Sequence, residues 1–416
     1  MDKELKIIVA GAGCRGTIYA LQAIEQAGVK VVGVAEPRDE YRQNIIDKCN
    51  VPAENVFRCW SEMAAREKFA DAVIIATQDC MHKDPAIAFA DKGYHILLEK
   101  PMAPNAEDCK AIVNAAKKNN IILAVCHVLR YTRYTQMLKE VVDSGEIGDI
   151  VSIEHTEPVG FWHQAHSFVR GNWRNSKESS PMLLQKSCHD LDWIRYIMGC
   201  KCHKVSSFGS LYHFRKEHKP AGAADYCFDC PVEVESNCPY SARFYYLNEY
   251  NNGSRYWPLD VVALHPTRES LCAALKKGQY GRCVFSCDND VVDHQVVNME
   301  FDAGRTASFT MTAFSHHGGR QTNIYGTRGQ LIGDSSKIEI RNFLTRGIRT
   351  IDTNATDGNI TGGHGGGDSG VVDSFLAAVK NGDPSKVITG PDVSLESHLM
   401  VFAAEEARAK DEVIRI

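Results

Sequence analysis

The chain has no excess of basic charge, no long hydrophobic run, no low-complexity tract and no internal repeat. Its 416 residues carry a formal net charge of −5, spread along the chain. Nucleic acid and anionic membranes are therefore not the expected partners, because no basic field would hold them. The apolar run from Ile7 to Ala10 is too short for a secretion signal, and no stretch reaches membrane-spanning length. The length favours two domains, each with its own core.

The fifteen cysteines do not form the pattern of a disulfide scaffold. Most are scattered singly inside apolar segments, where cysteine behaves as a small hydrophobe, so a reducing cytoplasm is expected. One cluster stands apart, with Cys227, Cys230 and Cys238 close in sequence. Three thiols suit a structural zinc ion, for which His213 or His218 upstream would be the fourth ligand. Loose buried thiols are the equal alternative, because a second CxxC pair is lacking.

The first part of the chain alternates short apolar runs with helical patterns. Such alternation predicts parallel strands joined by crossover helices. Asn105 is expected to cap a helix from Ala106 to Lys118. We expect residues 1–125 to form a doubly wound α/β domain. The apolar runs are Leu5 to Ala10, Val29 to Val34, Ala72 to Ala76, Tyr94 to Leu98 and Ile121 to Val125.

The pattern changes in the second part, where Thr306 to Ala313 alternates polar and apolar residues. A period of two is typical of a half-exposed antiparallel strand. We expect residues 126–416 to form an α+β domain with a large, open, mostly antiparallel sheet. The glycine-rich stretch from Gly362 to Asp368 is interpreted as a site loop or a tight turn before a helix from Val371 to Val379. Further strand candidates are Val151 to His155, Val205 to Leu211, Val296 to Phe301 and Lys337 to Arg341.

A glycine-rich turn follows the first predicted strand and begins a helix. Its pattern, G-x-G-x-x-G, lets the chain turn sharply and approach a pyrophosphate at the helix N-terminus. The second strand ends at Glu36, whose carboxylate can bond both ribose hydroxyls of a dinucleotide. A carboxylate there repels a 2′-phosphate, which favours NAD, although Arg38 could accept NADP. The residues of the turn expected to contact the cofactor are Gly11, Gly13, Cys14, Arg15 and Gly16.

Polar residues also follow the later parallel strands, at the edge where such sheets bind ligands. Thr77, Gln78 and His82 follow the strand that begins at Ala72, and each is a candidate cofactor contact or an ordinary loop residue. The next strand ends in Glu99 and Lys100, ahead of a proline. This places a charged pair at the same edge of the sheet.

The order and spacing of these motifs resemble the Gfo/Idh/MocA family of glucose-fructose oxidoreductases and inositol dehydrogenases. The resemblance implies a Rossmann domain followed by an α+β domain, and NAD as cofactor. The motifs that carry it are the glycine turn, Glu99-Lys100-Pro101, Glu146-Ile-Gly148, the helix that contains His189-Asp190, and Gly326-Thr-Arg-Gly329.

The resemblance also implies catalytic roles. In the family, the lysine of the Glu-Lys-Pro motif lies between nicotinamide and substrate, which corresponds to Lys100; a lysine paired with Glu99 is the plainer interpretation. His189 lies near the first turn of a helix that Gly199 can end, where the positive helix end favours a neutral base. The family pattern has an aspartate four residues earlier, where this sequence has Gln185. Lys186 is the candidate substitute partner of the substrate oxygen.

A segment rich in aromatic, histidine and arginine side chains runs from Phe161 to Arg174 and has no helical or strand pattern. Aromatic faces cover the C–H surface of a sugar while polar groups reach its hydroxyls, so this segment is the expected substrate wall. Packing with a polar surface is the alternative. The candidate substrate contacts are His127, Trp162, His163, His166, Arg170, Trp173 and Gln185.

The resemblance implies an NAD-dependent dehydrogenase of a sugar, glycoside or cyclitol. A glycoside oxidised at C3 is the favoured case, because the aromatic segment offers a wall for an aglycone or a second sugar. An NAD-dependent glycosidase that oxidises the sugar transiently is the rival enzyme, for which His163, His166 or Lys186 would be the second base. A sugar or nucleotide sensor that kept the fold without catalysis is the third hypothesis. The resemblance further implies a homodimer or homotetramer, in which the exposed face of the Thr306 strand is covered by another subunit.

Overall fold

The apolar runs of the first part form a six-stranded sheet in which every pairing is parallel. The computed structural model describes residues 4–353 and 365–416. The strand order is β3-β2-β1-β4-β5-β6, which is that of a Rossmann sheet. This confirms the predicted doubly wound domain. The strands are β1 (Leu5–Ala10), β2 (Val29–Ala35), β3 (Val56–Phe57), β4 (Ala72–Ile75), β5 (His95–Leu98) and β6 (Leu123–Val125).

Helices connect these strands. Asn105 caps the fifth helix, because its side chain accepts a hydrogen bond from the backbone N–H of Asp108 at 2.9 Å. The helix has the predicted bounds, and its apolar side packs into the core on one face of the sheet. The helices of this part are α1 (Cys14–Glu25), α2 (Asp39–Cys49), α3 (Trp60–Ala65), α4 (Lys83–Asp91) and α5 (Ala106–Lys118).

The second part forms a nine-stranded sheet, as predicted mostly antiparallel; its one parallel pair is β7 with β10. Polar and apolar residues alternate along β10. Ala307, Phe309 and Met311 are buried on one face, and the threonines and the serine lie on the other face. The strands are β7 (Ile150–Pro158), β8 (Cys202–Ser210), β9 (His294–Phe301), β10 (Thr306–Thr312), β11 (Gln321–Gly326), β12 (Gly329–Gly333), β13 (Lys337–Asn342), β14 (Ile348–Asp352) and β15 (Ile414–Arg415).

The helices of the second part serve both sheets. Helix α15 contacts α5, α9 and β8, and helix α14 packs its apolar side into the core of the first sheet. Of the glycine-rich stretch, residues 362–364 lie outside the described residues, whereas Gly365 and Gly366 form a turn before α14. The helices are α6 (Arg133–Asp143), α7 (Phe161–His163), α8 (Met182–Gln185), α9 (Cys188–Met198), α10 (Val232–Glu235), α11 (Ala242–Asn251), α12 (Leu259–Val262), α13 (Arg268–Lys277), α14 (Gly367–Asn381) and α15 (Pro391–Lys410).

The segment expected to be loop-like from residue 161 onward is instead helical. Helix α7 continues into a π-helix at Gln164–Arg170, and every residue of that π-helix is buried. Burial on all sides removes the one-sided apolar stripe by which a helix is recognised in a sequence. Across residues 4–353 and 365–416, no helix is both long and apolar enough to cross a membrane.

Residues 211–293, between β8 and β9, form a lobe of four short helices with a small core of its own. Its core residues include Tyr246, Leu259, Leu271 and Leu275. The lobe packs against the π-helix, where the ring of Tyr280 stacks on that of His166 at a centroid distance of 4.8 Å. It therefore lies beside the expected substrate wall.

Candidate functional site

The backbone of the glycine turn packs directly against the backbone at the end of β4. A Cβ on Gly11, whose φ is +91°, would come within 2.5 Å of the Ala76 carbonyl oxygen, and one on Gly16 within 1.9 Å of the Gly11 oxygen. The first turn of α1 contains no acidic side chain, and no side chain of residues 4–353 or 365–416 caps it. Its N–H groups are thus available to an anion, so the turn fits the pyrophosphate of a dinucleotide.

Glu36 lies at the end of β2 beside this turn, with 2% of its surface exposed. Its carboxylate accepts hydrogen bonds from the backbone N–H of Ala12 at 2.9 Å and from Nε of Arg38 at 2.7 Å. Burial opposes ionisation, but the bonds from Arg38 and Ala12 hold the pKa of Glu36 below its usual range. An ionised carboxylate at this position fits a ribose with free hydroxyls. The Arg38 guanidinium lies 3.8 Å from the centre of the Tyr41 ring.

Two predicted cofactor contacts in the turn differ in what surrounds them. Cys14 keeps exposed surface, yet burial, followed by the charge of Asp260, raises the pKa of its thiol to about 11. Arg15 donates to Glu99 at 2.8 Å and to Asp368 at 2.5 Å. The structure thus uses Arg15 to join the turn to the end of β5 and to α14.

The polar residues after β4 meet the Glu-Lys-Pro segment. The ring nitrogens of His82 lie 2.8 Å from the carbonyl oxygen of Pro101 and 3.2 Å from that of Thr77. Gln78 is exposed at the same edge. The structure therefore brings His82 and Thr77 together with the strand end that carries Lys100.

Lys100, which follows β5 of the first sheet, contacts helix α8 of the second part. Its Nζ donates to the backbone carbonyl oxygen of Gln185 at 2.6 Å. His189 lies in the first turn of α9 with 6% of its surface exposed, and Gly199 ends that helix in the left-handed conformation. The predicted Lys100, Gln185 and His189 thus lie on adjoining elements of one site.

A network of charges holds the neighbouring Lys186. Its Nζ lies 3.1 Å from Glu157, and Glu157 in turn lies 3.1 Å from Nε of Arg320. Arg320 also donates to Asp190 at 2.5 Å. Burial alone would raise the pKa of Asp190, but Arg320 and His155 lower it strongly. The positive charges of Lys186 and Arg320 are therefore held in place beside α9.

His163 faces this positive charge. Its pKa lies well below the ordinary histidine value, first because of burial and then because of Lys186, His166 and Lys100. A neutral imidazole at neutral pH follows. The ring of Trp257, from the lobe, meets that of His163 edge to face with centroids 4.9 Å apart. Trp162 stacks on Tyr245 at 5.4 Å. The rings of α7 and of the lobe therefore pack together as one aromatic group that includes His163.

Three predicted wall residues are engaged elsewhere. The ring of His166 lies 2.6 Å from the hydroxyl of Tyr246. Arg170 donates to the carbonyl oxygens of Arg282 and Tyr240, both at 2.6 Å. Trp173 packs against the core of the second sheet. His166 and Arg170 thus fasten the lobe to the π-helix.

A group of buried histidines lies next to His189. His127 is fully buried, and its ring centroid lies 6.0 Å from that of His189 and 5.3 Å from that of His398. Burial lowers the pKa of His127 to about 3, although Asp192, 3.7 Å away, opposes this. Asp192 is itself held by Arg130 at 2.7 and 2.8 Å. The predicted His127 therefore lies deeper than His189.

The cysteine cluster does not form the expected zinc site. Cys227, Cys230 and Cys238 line one small pocket together with Cys283. Cys227 accepts hydrogen bonds from the Ala242 N–H at 3.4 Å and from Arg170 at 3.7 Å. Within the described ranges, no three His, Cys, Asp or Glu side chains are arranged to hold a metal ion. The fourth predicted ligand, His213, instead packs among aromatic rings, including Phe214, so zinc is not supported.

Several residues of the site have no local signature in the sequence. Arg320 precedes β11 and meets Asp190, 130 positions away, and Glu157 is buried near the end of β7, on the same face as His155. His398, on α15, accepts a hydrogen bond from the Met102 N–H at 2.9 Å. The alternation of β7, which places Glu157 on the same face as Ile153, is the signal that could have drawn attention to it.

Two curated relatives match parts of the chain. A myo-inositol 2-dehydrogenase of Thermotoga maritima is 28% identical over 50% of this chain and 59% of its own length. A 2,7-anhydro-N-acetylneuraminate hydratase of Mediterraneibacter gnavus is 27% identical over 50% of this chain and 53% of its own length. The matches therefore span only about half of the length of these relatives.

The fold matches solved structures over its whole length. A levoglucosan dehydrogenase in complex with NADH and levoglucosan superimposes with a TM-score of 0.72, at 20% identity and 99% coverage of both chains. At that identity the likeness shows the fold alone.

Family models cover both parts of the chain. Residues 5–127 match the Gfo/Idh/MocA oxidoreductase family, NAD-binding Rossmann fold, and residues 139–414 match its C-terminal alpha/beta domain. The glycine turn, Glu36 and the meeting of Lys100 with the segment before His189 lie within these matches. The chain belongs to the Gfo/Idh/MocA family of oxidoreductases.

Proposed function

We propose that the protein is an NAD-dependent oxidoreductase acting on a secondary alcohol of a sugar, glycoside or cyclitol. The observation that carries the proposal is the contact of Lys100 with Gln185, which brings an ammonium from the dinucleotide-binding sheet to the segment that precedes His189. This contact lies at the carboxyl edge of the parallel sheet, where such sheets bind their ligands. The family membership and the sugar dehydrogenases among the relatives support the same class of substrate.

Lys100 is suited to hold the alcohol oxygen. An ammonium has three donors, of which the Gln185 carbonyl takes one, so donors remain for the substrate. Its positive charge stabilises the alkoxide character that develops on the oxygen as the C–H bond breaks. His189, in the first turn of α9, accepts the hydroxyl proton. When bound, NAD supplies the acceptor of the hydride.

The charges around Lys186 point to a substrate with several hydroxyls. Lys186 and Arg320 share the Glu157 carboxylate, so donors and acceptors alternate over a short distance. Such a surface fits the donor and acceptor pattern of a polyol. The wall formed by Trp162 and Trp257 fits an aglycone or a second sugar, for which oxidation at C3 of a glycoside is the specific proposal.

A redox-neutral reaction is the second candidate. Its specific support is His163, a neutral imidazole close to both Lys100 and Lys186. A ketone formed transiently acidifies the neighbouring C–H, whose proton His163 would accept before elimination. Addition of water and return of the hydride to the ketone then leave no net oxidation. One curated relative is named a hydratase, and addition of water involves no net oxidation.

One assay separates these candidates. Purified protein is incubated with NAD and a panel of inositols, glycosides and anhydrosugars, while NADH absorbance and sugar products are followed together. Net NADH with a ketone product supports the dehydrogenase. Aglycone release or hydration without net NADH supports the redox-neutral reaction. NAD binding without turnover of any compound by wild type, at concentrations up to millimolar, contradicts both.

We also propose that a second copy of the chain covers the outer face of the nine-stranded sheet. Phe208 on β8 is 60% exposed and Val151, near the start of β7, is 51% exposed, so large apolar side chains of two strands face outward. Light scattering at micromolar concentration tests this, since a dimer or tetramer is expected and Phe208→Lys should weaken it. A wild-type monomer contradicts the proposal.

A further inference from the structure

One turn of helix α15 is bound to α9, the helix whose first turn contains His189. Glu396 accepts a hydrogen bond from Arg195 of α9 at 2.6 Å. The next residue, Ser397, donates to Asp192 of α9 at 2.5 Å. This turn of α15 therefore holds the helix of the proposed base at two points.

His398, the next residue of the same turn, contacts the Glu-Lys-Pro segment instead. Its Nε2 atom accepts a hydrogen bond from the backbone N–H of Met102, two residues after Lys100, at 2.9 Å. Neither His398 nor Met102 has exposed surface. Consecutive residues of α15 thus bind both segments on which the proposed chemistry depends.

The second ring nitrogen of His398 fixes the position of its proton. Nδ1 lies 2.7 Å from the carbonyl oxygen of Ser394, which can only accept a hydrogen bond. Nδ1 therefore carries the proton, and Nε2 keeps the lone pair that the Met102 N–H requires. Burial lowers the pKa of His398 to about 4, although the bond to Ser394 and the charge of Asp192 oppose this. The ring is thus neutral at neutral pH, and its two hydrogen bonds are consistent with one tautomer.

The peptide group between Pro101 and Met102 is bound at both ends. Its carbonyl oxygen lies 2.8 Å from Nδ1 of the buried His82, and its N–H donates to His398. His82 belongs to the same domain as the peptide group, whereas His398 comes from the second part of the chain. Of these two rings, His398 is therefore the one that ties the backbone after Lys100 to α9.

The relative placement of these segments matters for the reaction, because Lys100 and His189 act on the same alcohol oxygen in the proposed function. A displacement of about 1 Å in such a group can cost a hundredfold in rate. We propose that His398 is a positioning residue for Lys100, which holds the Glu-Lys-Pro segment in place relative to the helix of His189 through its hydrogen bond to Met102. This rests on the roles given to Lys100 and His189 in the proposed function.

Two substitutions in the full chain separate the two hydrogen bonds of His398. Gln reaches the place of Nε2, so His398→Gln keeps an acceptor for Met102. The shorter Asn reaches only the place of Nδ1, so His398→Asn keeps a donor for Ser394 and loses the bond to Met102. Ile338→Ala is the control for lost stability, because it leaves a cavity in the core of the second sheet at a strand that pairs with β12 and β14.

Two measurements test the contact without any substrate. Hydrogen exchange at the Met102 amide, followed by mass spectrometry, should be slow in wild type and in His398→Gln, and about tenfold faster in His398→Asn. Labelling of Lys100 by an amine reagent should also be faster in His398→Asn, because the displaced ammonium leaves the Gln185 carbonyl oxygen.

Turnover separates positioning from a purely structural role. With a substrate that wild type oxidises, His398→Asn should lower kcat roughly tenfold to a hundredfold, while KM and the dissociation constant of NAD stay near the wild-type values. His398→Gln should restore most of the rate. Ile338→Ala should keep the wild-type kcat below its unfolding temperature.

Wild-type kcat in His398→Asn overturns the inference, as does an equal loss of kcat in His398→Gln and His398→Asn. Wild-type exchange and labelling in His398→Asn overturn it as well. If wild type turns over no compound, the proposed function fails, and the exchange of Met102 and the labelling of Lys100 still decide whether His398 positions the segment.

Discussion

Arg15, in the glycine turn, donates two hydrogen bonds to the carboxylate of Asp368, which lies 353 positions later at the start of α14. Asp368 is fully buried, and Arg15 also donates to Glu99, next to Lys100. Asp368→Ala removes two charge-assisted hydrogen bonds but leaves Arg15 paired with Glu99. It should therefore lower the free energy of unfolding by about 2 kcal/mol in urea denaturation.

The matched control is Asp373→Ala on the same helix, because Asp373 is exposed and bonds only the amide of Gln26 in the hydrogen bonds described. Its effect should stay within about 0.5 kcal/mol. Equal stabilities of the two variants would mean that the Arg15 pair contributes nothing measurable.

Cofactor preference should depend on the Glu36 and Arg38 pair. Glu36→Ala removes the carboxylate that repels a 2′-phosphate and frees the Arg38 guanidinium to bind it. NAD binding should weaken about tenfold and NADP binding should tighten, as measured by calorimetry. Asp39→Ala, which removes an exposed neighbouring acid, is the control and should leave the preference unchanged. A wild-type preference for NADP would overturn the assignment of Glu36.

Local patterns predicted much of the fold. The apolar run Leu5–Ala10 and the capped helix Ala106–Lys118 have the same bounds in the structure as in the prediction. Gly199 ends α9 in the left-handed conformation, as its position indicates. These elements could be predicted because a single apolar period, a cap or a glycine specifies each of them within a few residues.

Elements buried on several sides could not be predicted in this way. Helix α15 runs for 20 residues between the two sheets and has no single apolar face. The π-helix Gln164–Arg170 is buried throughout, and its mixed composition favoured a loop. The lobe depends on a small core of its own rather than on a repeated pattern.

The residues of the candidate site also fall into those that local patterns predict and those that they do not. Lys100 and His189 stand in motifs at strand and helix ends, so the sequence indicates them. Arg320 is brought to the site by its pairing with Asp190, 130 positions away, for which a single sequence has no signal. Zinc, one of the two interpretations of the cysteine cluster, is not supported for a related reason. Close spacing of thiols in the sequence does not fix how their side chains are arranged in the fold.

Stability should fall in mild acid because buried histidines are kept neutral. Burial lowers the pKa of His127 and His166 to about 3 and that of His398 to about 4. In the unfolded chain each takes up a proton near pH 6.5, whereas the folded protein does not. Unfolding therefore binds protons between about pH 6.5 and pH 4, and the free energy of unfolding falls by up to about 1.4 kcal/mol per pH unit for each histidine.

Urea denaturation at pH 7.5 and pH 5.5 measures this fall. His398→Gln keeps hydrogen-bonding capacity without a titratable ring, so its stability should depend less on pH than that of wild type. His265→Asn, at an exposed position, is the control and should follow wild type. The same pH dependence in all three proteins would show that His398 does not contribute.

The roles of His189 and Lys186 in proton transfer should separate by kinetics. The Nζ of Lys186 lies 3.1 Å from the Glu157 carboxylate, whereas His189 lies in the first turn of α9 and is the proposed base. His189→Ala should therefore lower kcat by roughly a hundredfold to ten-thousandfold, the usual contribution of a general base, and flatten the acid limb of the pH–rate profile. Lys186→Met should mainly raise KM, because it removes a donor that orients the substrate in both ground and transition states.

NAD titration supplies the control for both variants, since neither side chain is needed to hold the dinucleotide and its dissociation constant should match that of wild type. Lys100→Ala should cost a similar factor in kcat to His189→Ala, because it removes charge from the developing alkoxide. A His189→Ala protein with wild-type kcat and an unchanged pH profile would place the base elsewhere. If Lys186→Met then lost the rate and the acid limb together, Lys186 would be the proton acceptor, and its pairing with Glu157 would have to open during turnover.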